Sequence, residues 1–151
     1  MPEETTSAPA SPVRPTARHV FVYGTLRRGG TNDITRLTPA PTWVGAATLP
    51  GVLYTLGAYP GMRLTGHSAT DAPVRGEVYA ISPELEVQLD RIEGLAPGAV
   101  PLEDDEYIRR EVEVIVDGRP IACLMYEIHE RFAAAPQRLT SGDWLNHASI
   151  P

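Results

Sequence analysis

The stretch VRGEVYAISPELEVQLDRIEG, residues 74–94, holds the clearest strand and the clearest helix of the chain side by side. Val74 to Ile81 is rich in β-branched and aromatic residues, a strand pattern. Ser82 is a good helix cap, Pro83 suits the first helical position, and Glu84 and Glu86 sit near the positive end of the helix dipole. Leu85, Leu89 and Ile92 follow the i, i+4, i+7 rule and predict the core-facing stripe. Gly94 is placed to end the helix.

Outward from this unit, strands predominate. Upstream, His19-Val20-Phe21-Val22-Tyr23 is a short buried-strand run stopped by Gly24. A polar turn with Gly29 and Gly30 follows, then a short helical piece from Asn32 or Asp33 to Leu37. Trp43 to Leu49 and Val52 to Leu56 read as strands broken at Pro50-Gly51. Tyr59-Pro60-Gly61 reads as a turn, with another short strand at Met62-Arg63-Leu64. Downstream, Tyr107 to Val116 alternates, with Ile108, Val112, Val114 and Val116 on one side. Asp117-Gly118 is a two-residue hairpin signal, and Ile121 to Ile128 is the returning strand. The segment after Phe132 is weakly patterned, and Trp144 is a candidate plug for one end of the sheet. Many short strands around one helix predict an α+β domain on a curled or barrel-like mixed sheet. Strands and helices do not alternate, which argues against a doubly wound parallel sheet.

At 151 residues the chain fits a single core. Residues 1–17 are rich in Pro, Ser and Thr and predict a flexible tail, with the folded domain over 18–151. The net charge of −6 and the lack of a basic run argue against nucleic acid as a partner. No apolar run is long enough for a bilayer, and Glu3 and Glu4 with no apolar stretch do not make a secretory signal. The one Cys, Cys123, forms no internal disulfide, and a cytoplasmic location is expected. The oligomeric state is left open.

Two places carry candidate chemistry. Tyr23-Gly24-Thr25-Leu26 follows a buried strand, and a glycine there leaves N–H groups outside any ladder, able to hold a carboxylate or an oxyanion. Strand–Gly–Thr is also a plain turn. Glu93 lies about 40° from Leu89 on a helical wheel, at the edge of the apolar stripe. At the negative end of the helix dipole and partly desolvated, its neutral form is favoured, which suits proton shuttling. A lone Glu at a helix end is more commonly a solvated boundary residue. Asp90, one turn earlier, reads as a surface residue. The four histidines have no metal-ligand spacing, and Cys123 reads as core packing. Neither a nucleophile elbow nor a phosphate loop occurs.

The ordered set Phe21-Val22-Tyr23-Gly24-Thr25-Leu26-Arg27-Arg28-Gly29, Tyr59-Pro60-Gly61, Arg75-Gly76-Glu77-Val78-Tyr79, Leu89-Asp90-Arg91-Ile92-Glu93-Gly94 and Tyr107-Ile108-Arg109-Arg110 resembles the γ-glutamylcyclotransferase-like superfamily. Thr25 and Tyr59-Pro60 are similar to the branch of γ-glutamylamine cyclotransferases and plant avirulence-induced proteins. The resemblance implies a compact mixed β-barrel with flanking short helices and a cavity at its mouth. It implies an enzyme turning a γ-glutamyl amine or conjugate into 5-oxoproline and free amine, with no metal or organic cofactor. Glu93 would be the catalytic acid/base, with Tyr23, Gly24, Thr25, Leu26 and Tyr107 binding the small-molecule substrate. The Pro- and acid-containing loop 95–106 departs from the family pattern. A binding module using the same cavity, or an enzyme removing a γ-glutamyl protecting group in secondary metabolism, are the other readings.

Overall fold

The computed structural model describes residues 18–64, 73–95, 106–133, 138–139 and 141–145. The expected tail, residues 1–17, and most of the 95–106 loop lie outside the described residues.

Among the described residues, eight strands and one α-helix follow in the order β1 (Arg18–Val22), β2 (Thr42–Leu49), β3 (Gly51–Thr55), β4 (Pro60–Leu64), β5 (Val74–Ile81), α1 (Pro83–Ile92), β6 (Tyr107–Val116), β7 (Arg119–Ile128) and β8 (Arg138–Leu139). The expected helical piece near residue 34 is a single 3-10 turn, Ile34–Arg36, capped by the Asp33 side chain. The expected Tyr59–Gly61 turn ends sooner, because Pro60 already pairs with Thr55 as the first residue of β4.

A five-stranded sheet runs β2-β5-β1-β7-β6, and a three-stranded sheet runs β4-β3-β8. The large sheet is mixed: β1 runs parallel to β7 and antiparallel to β5. Asp117 and Gly118 both hold positive φ, 50° and 78°, and join β6 to β7 in a tight hairpin. No helix among the described residues is long and apolar enough to cross a membrane.

The central strands β1 and β7 are covered on both faces, which explains their nearly continuous apolar runs. Val20 and Val22 with Leu124, Tyr126 and Ile128 face α1, whose Leu85 and Leu89 complete that layer. Phe21 and Tyr23 with Cys123 and Met125 face the opposite way, into a second layer with Leu53, Met62 and Trp144. Trp144 thus packs into the core.

The large sheet curls. Laid flat, its edge strands would stand about 19 Å apart at the usual strand spacing, yet β2 and β6 lie against each other. Val116 Cγ1 fills the space where a Cβ on Gly45 would stand, at 2.5 Å. No ladder joins β2 to β6 among the described residues, so the expected barrel is a curled sheet without hydrogen-bonded closure. The register shift between Trp43 and Gly45 bends β2 at this point, and side-chain packing stands where a ladder would close.

Two helix expectations need correction. Asp90 is 3% exposed and is not a surface residue. Ile92, placed on the core stripe by its spacing, is 38% exposed, because the last turn of α1 overhangs a cavity that Ile92 lines.

Candidate active site

A cavity of about 240 Å³ opens where the end of β1, the end of α1 and the starts of β4 and β6 meet. That is a small-metabolite volume. Its described walls include Phe21, Tyr23, Tyr59, Tyr107 and Tyr126, the backbone from Gly24 to Leu26, and the acids Glu93 and Glu106.

The first wall is the turn after β1. Arg27 N–H donates to Gly24 O at 3.0 Å, Asn32 N–H to Thr25 O at 2.9 Å, and Ile34 N–H to Leu26 O at 2.9 Å. The turn is therefore fixed through its carbonyls. The N–H groups of Gly24, Thr25 and Leu26 donate to nothing among the described residues. Asn32 Nδ2 donates to Thr25 Oγ1 at 3.1 Å. Leu26 both lines the cavity and belongs to the buried layer beneath it. A Cβ on Gly24 would stand 2.5 Å from Pro60 Cγ, so glycine at 24 is what admits Tyr59-Pro60 to this wall.

Arg27 and Arg28 anchor the turn to the sheet. Glu77, buried on β5, accepts from Arg27 Nε at 3.1 Å, Arg28 N at 2.9 Å and the Tyr79 hydroxyl at 2.9 Å. Arg27 also reaches Asp143 at 2.8 Å.

Two of the tyrosines are committed to the backbone. Tyr23 donates its hydroxyl to Tyr126 O at 2.6 Å and accepts from Met62 N at 3.1 Å, joining the two sheets. Tyr107 donates to Pro60 O at 2.6 Å. Burial holds both phenols well above their ordinary range, so they stay neutral.

Glu93 is the C-cap of α1, with its N–H on Leu89 O at 3.0 Å. Gly94 follows at φ 81° and turns the chain out of the helix. The Glu93 residue is half-buried, and its carboxyl makes no hydrogen bond or ion pair among the described residues. Burial pushes it up to about 7, and the charges of Glu106 and Asp90 push the same way. A carboxyl in that range is a ready proton carrier at neutral pH.

Asp90 fixes the helix end. It accepts from the Tyr126 hydroxyl at 2.7 Å and pairs with Arg109, which also pairs with Glu86. Side-chain bonds join the five sequence segments singled out above in two groups: Glu77 to Arg27 in one, and Asp90 to Arg109 with Tyr107 to Pro60 in the other.

Glu93, Tyr23, Gly24, Thr25, Leu26 and Tyr107, the expected site residues, all line this one cavity. Sequence reasoning gave no role there to Tyr59, Tyr126 or Glu106. Tyr59 donates to both carboxylate oxygens of Glu106, at 2.9 and 3.0 Å. Glu106 ends a run of four acids from Glu103, and nothing in the run marks one above the rest.

Residues 20–146 match the family model described as gamma-glutamyl cyclotransferase, AIG2-like. The chain belongs to this family. A Vibrio cholerae protein named "Putative gamma-glutamylcyclotransferase" is 36% identical over 126 residues, covering 83% of this chain and 93% of that one. Among solved structures, YkqA from Bacillus subtilis superposes with a TM-score of 0.65 at 23% identity, covering 88% of this chain and 41% of its own. This chain thus spans about two-fifths of that longer protein. An AIG2-like protein from Mus musculus gives 0.61 at 24% identity, covering 80% of this chain and 81% of that one. Both structures share the fold of this family member.

Proposed function

We propose that this chain is a γ-glutamyl cyclotransferase acting on a γ-glutamyl amine or conjugate, with Glu93 as general acid/base. The observation that carries this reading is that Glu93, its carboxyl pushed up to about 7 and unpaired among the described residues, lines one small cavity together with a turn whose N–H groups donate to nothing among the described residues. Membership of the family supports it.

The N–H groups of Gly24, Thr25 and Leu26 bind the glutamyl carboxylate and the oxyanion that develops on the γ-carbonyl. Tyr107 and Tyr23 form the apolar wall beside the glutamyl chain. Glu93 as carboxylate takes a proton from the substrate's α-ammonium. The freed amine attacks the γ-carbonyl, forming the new C–N bond of the five-membered ring. Protonated Glu93 passes the proton to the leaving nitrogen as the old C–N bond breaks, and the regenerated carboxylate carries the second proton from the α-nitrogen to the departing amine by the same route. In all, the α-nitrogen loses two protons and the departing amine gains two, so no net proton and no water is consumed. No electrons are transferred, so the step calls for no redox group. Holding the glutamyl chain in its cyclising conformer contributes up to about 7–11 kcal/mol of the barrier reduction.

A cytoplasmic location belongs to this reading, supported by the lone buried Cys123.

The test is incubation with a panel of γ-glutamyl amines and γ-glutamyl amino acids, with 5-oxoproline as readout. Glu93→Gln, nearly isosteric at a helix end, should keep the fold and lower kcat by about 10²–10⁴. Full turnover by a folded Glu93→Gln protein would remove Glu93 from the mechanism.

A further inference from the structure

Among the described residues two carboxylates line the cavity, and they are held differently. Glu93 is unpaired among the described residues. Glu106 is fixed twice: its side chain accepts the Tyr59 hydroxyl through both oxygens, and its carbonyl accepts from His129 N–H at 2.7 Å. A phenol brings no positive charge to Glu106. No Arg or His lies among the described lining residues, and the chain has no Lys, so no cationic side chain in the described wall offsets it.

The groups facing Glu93 come from each element packed around it. Its own helix brings Asp90, whose charge is offset by Arg109. The segments after β1 and before β4, and the strands β6 and β7, bring Tyr23, Tyr59, Tyr107 and Tyr126, all neutral. Among the described residues, Glu106 is therefore the one neighbouring carboxylate with no cationic partner. Two like charges sharing a small, partly dry site cannot both ionise freely, and the fixed one holds the other's proton on.

We propose that Glu106, clamped by Tyr59, is a positioning residue of the reaction, whose fixed charge sets how readily Glu93 gives up and takes back its proton. Glu106 itself touches no reacting atom in this arrangement. The proposal rests on the acid/base reading of Glu93. The order of causes acting on Glu93, burial first, then Glu106, then Asp90, agrees with it.

The experiment is a pH titration of the Glu93 carboxyl by NMR on side-chain ¹³C-labelled protein, without substrate, beside the pH profile of kcat/KM. Glu106→Gln keeps a carbonyl oxygen for Tyr59 and removes the charge. The Glu93 midpoint should fall by about 1 pH unit, and the acid limb of kcat/KM should fall equally. Tyr59→Phe, which keeps the charge, should leave the midpoint high. A purely structural Glu106 would change kcat without moving either curve. An unmoved midpoint with turnover intact overturns the role of Glu106 alone. A moved midpoint with no γ-glutamyl compound turned over supports the coupling and overturns the reading of the reaction. Should Glu106→Gln fail to fold, the wild-type Glu93 resonance decides. Two inflections support coupling to a second carboxylate, and a single inflection overturns it.

Discussion

Arg109 on β6 pairs with Asp90 three residues before Glu93, and so ties the last turn of α1 to the far edge of the sheet. Tyr126 holds the other Asp90 oxygen at 2.7 Å. The helix end that presents Glu93 is therefore set by bonds from two strands as well as by its own capping.

Asp90→Ala leaves the Arg109 guanidinium and the Tyr126 hydroxyl short of a buried partner. Breaking a fully buried pair from one side costs about 3–5 kcal/mol, but Arg109 is 34% exposed and keeps Glu86, so the loss here should be about 1–3 kcal/mol. Urea unfolding should show a loss of that order, smaller in Asp90→Asn, which still accepts from Tyr126. A loss under about 1 kcal/mol, the range of exposed pairs, would show that the network does not hold the helix end.

Glu93→Gln should raise stability at pH 8 while it lowers kcat. The carboxyl sits at about 7 in the fold, against an ordinary value of 4.5. The folded state thus binds more protons between these two values, and its stability falls as pH rises through them. Gln has no proton to lose. The substitution should gain about 1–3 kcal/mol at pH 8, after allowing for the half-exposed position, and nothing at pH 4. Thermal melts across this range check it, and equal melting temperatures at pH 8 would contradict the placement of the carboxyl.

Gly24→Ala puts a Cβ 2.5 Å from Pro60 Cγ and 2.9 Å from its Cδ. The rigid ring cannot turn aside, so overpacking should cost about 1–3 kcal/mol. Pro60 also accepts the Tyr107 hydroxyl, so KM should rise with the loss of stability. An unchanged melting temperature would show that this close approach is not required.

Cys123 is buried on β7, and burial pushes its thiol up to about 11. Iodoacetamide at pH 8 should leave the native protein unlabelled and react once urea unfolds it. Rapid labelling of the native chain would displace Cys123 from the core.

Much of the fold was legible because its signals are local. Ser82, Pro83 and Gly94 bracket α1, and Asp117-Gly118 sets the β6–β7 hairpin. The burial of Asp90 was not legible, since its partners Arg109 and Tyr126 are 19 and 36 residues away. The spacing that put Ile92 on the core stripe was correct for a helix packed along its whole length, but the last turn faces the cavity. β8 is two residues long, too short for any periodicity. Glu93 and the Tyr23–Leu26 turn were legible as a helix end and a strand end, and the family resemblance gave them their expected roles. Glu106 did not, because its place is given by Tyr59, 47 residues earlier.

Whether the substrate's own amine is the nucleophile is tested most directly by the fate of solvent oxygen. A γ-glutamyl amine is turned over in H₂¹⁸O and the first acidic product is weighed by mass spectrometry. Attack by the α-amine forms 5-oxoproline with no ¹⁸O. Glutamate carrying one ¹⁸O would mean that water attacks the γ-carbonyl, and would contradict cyclisation.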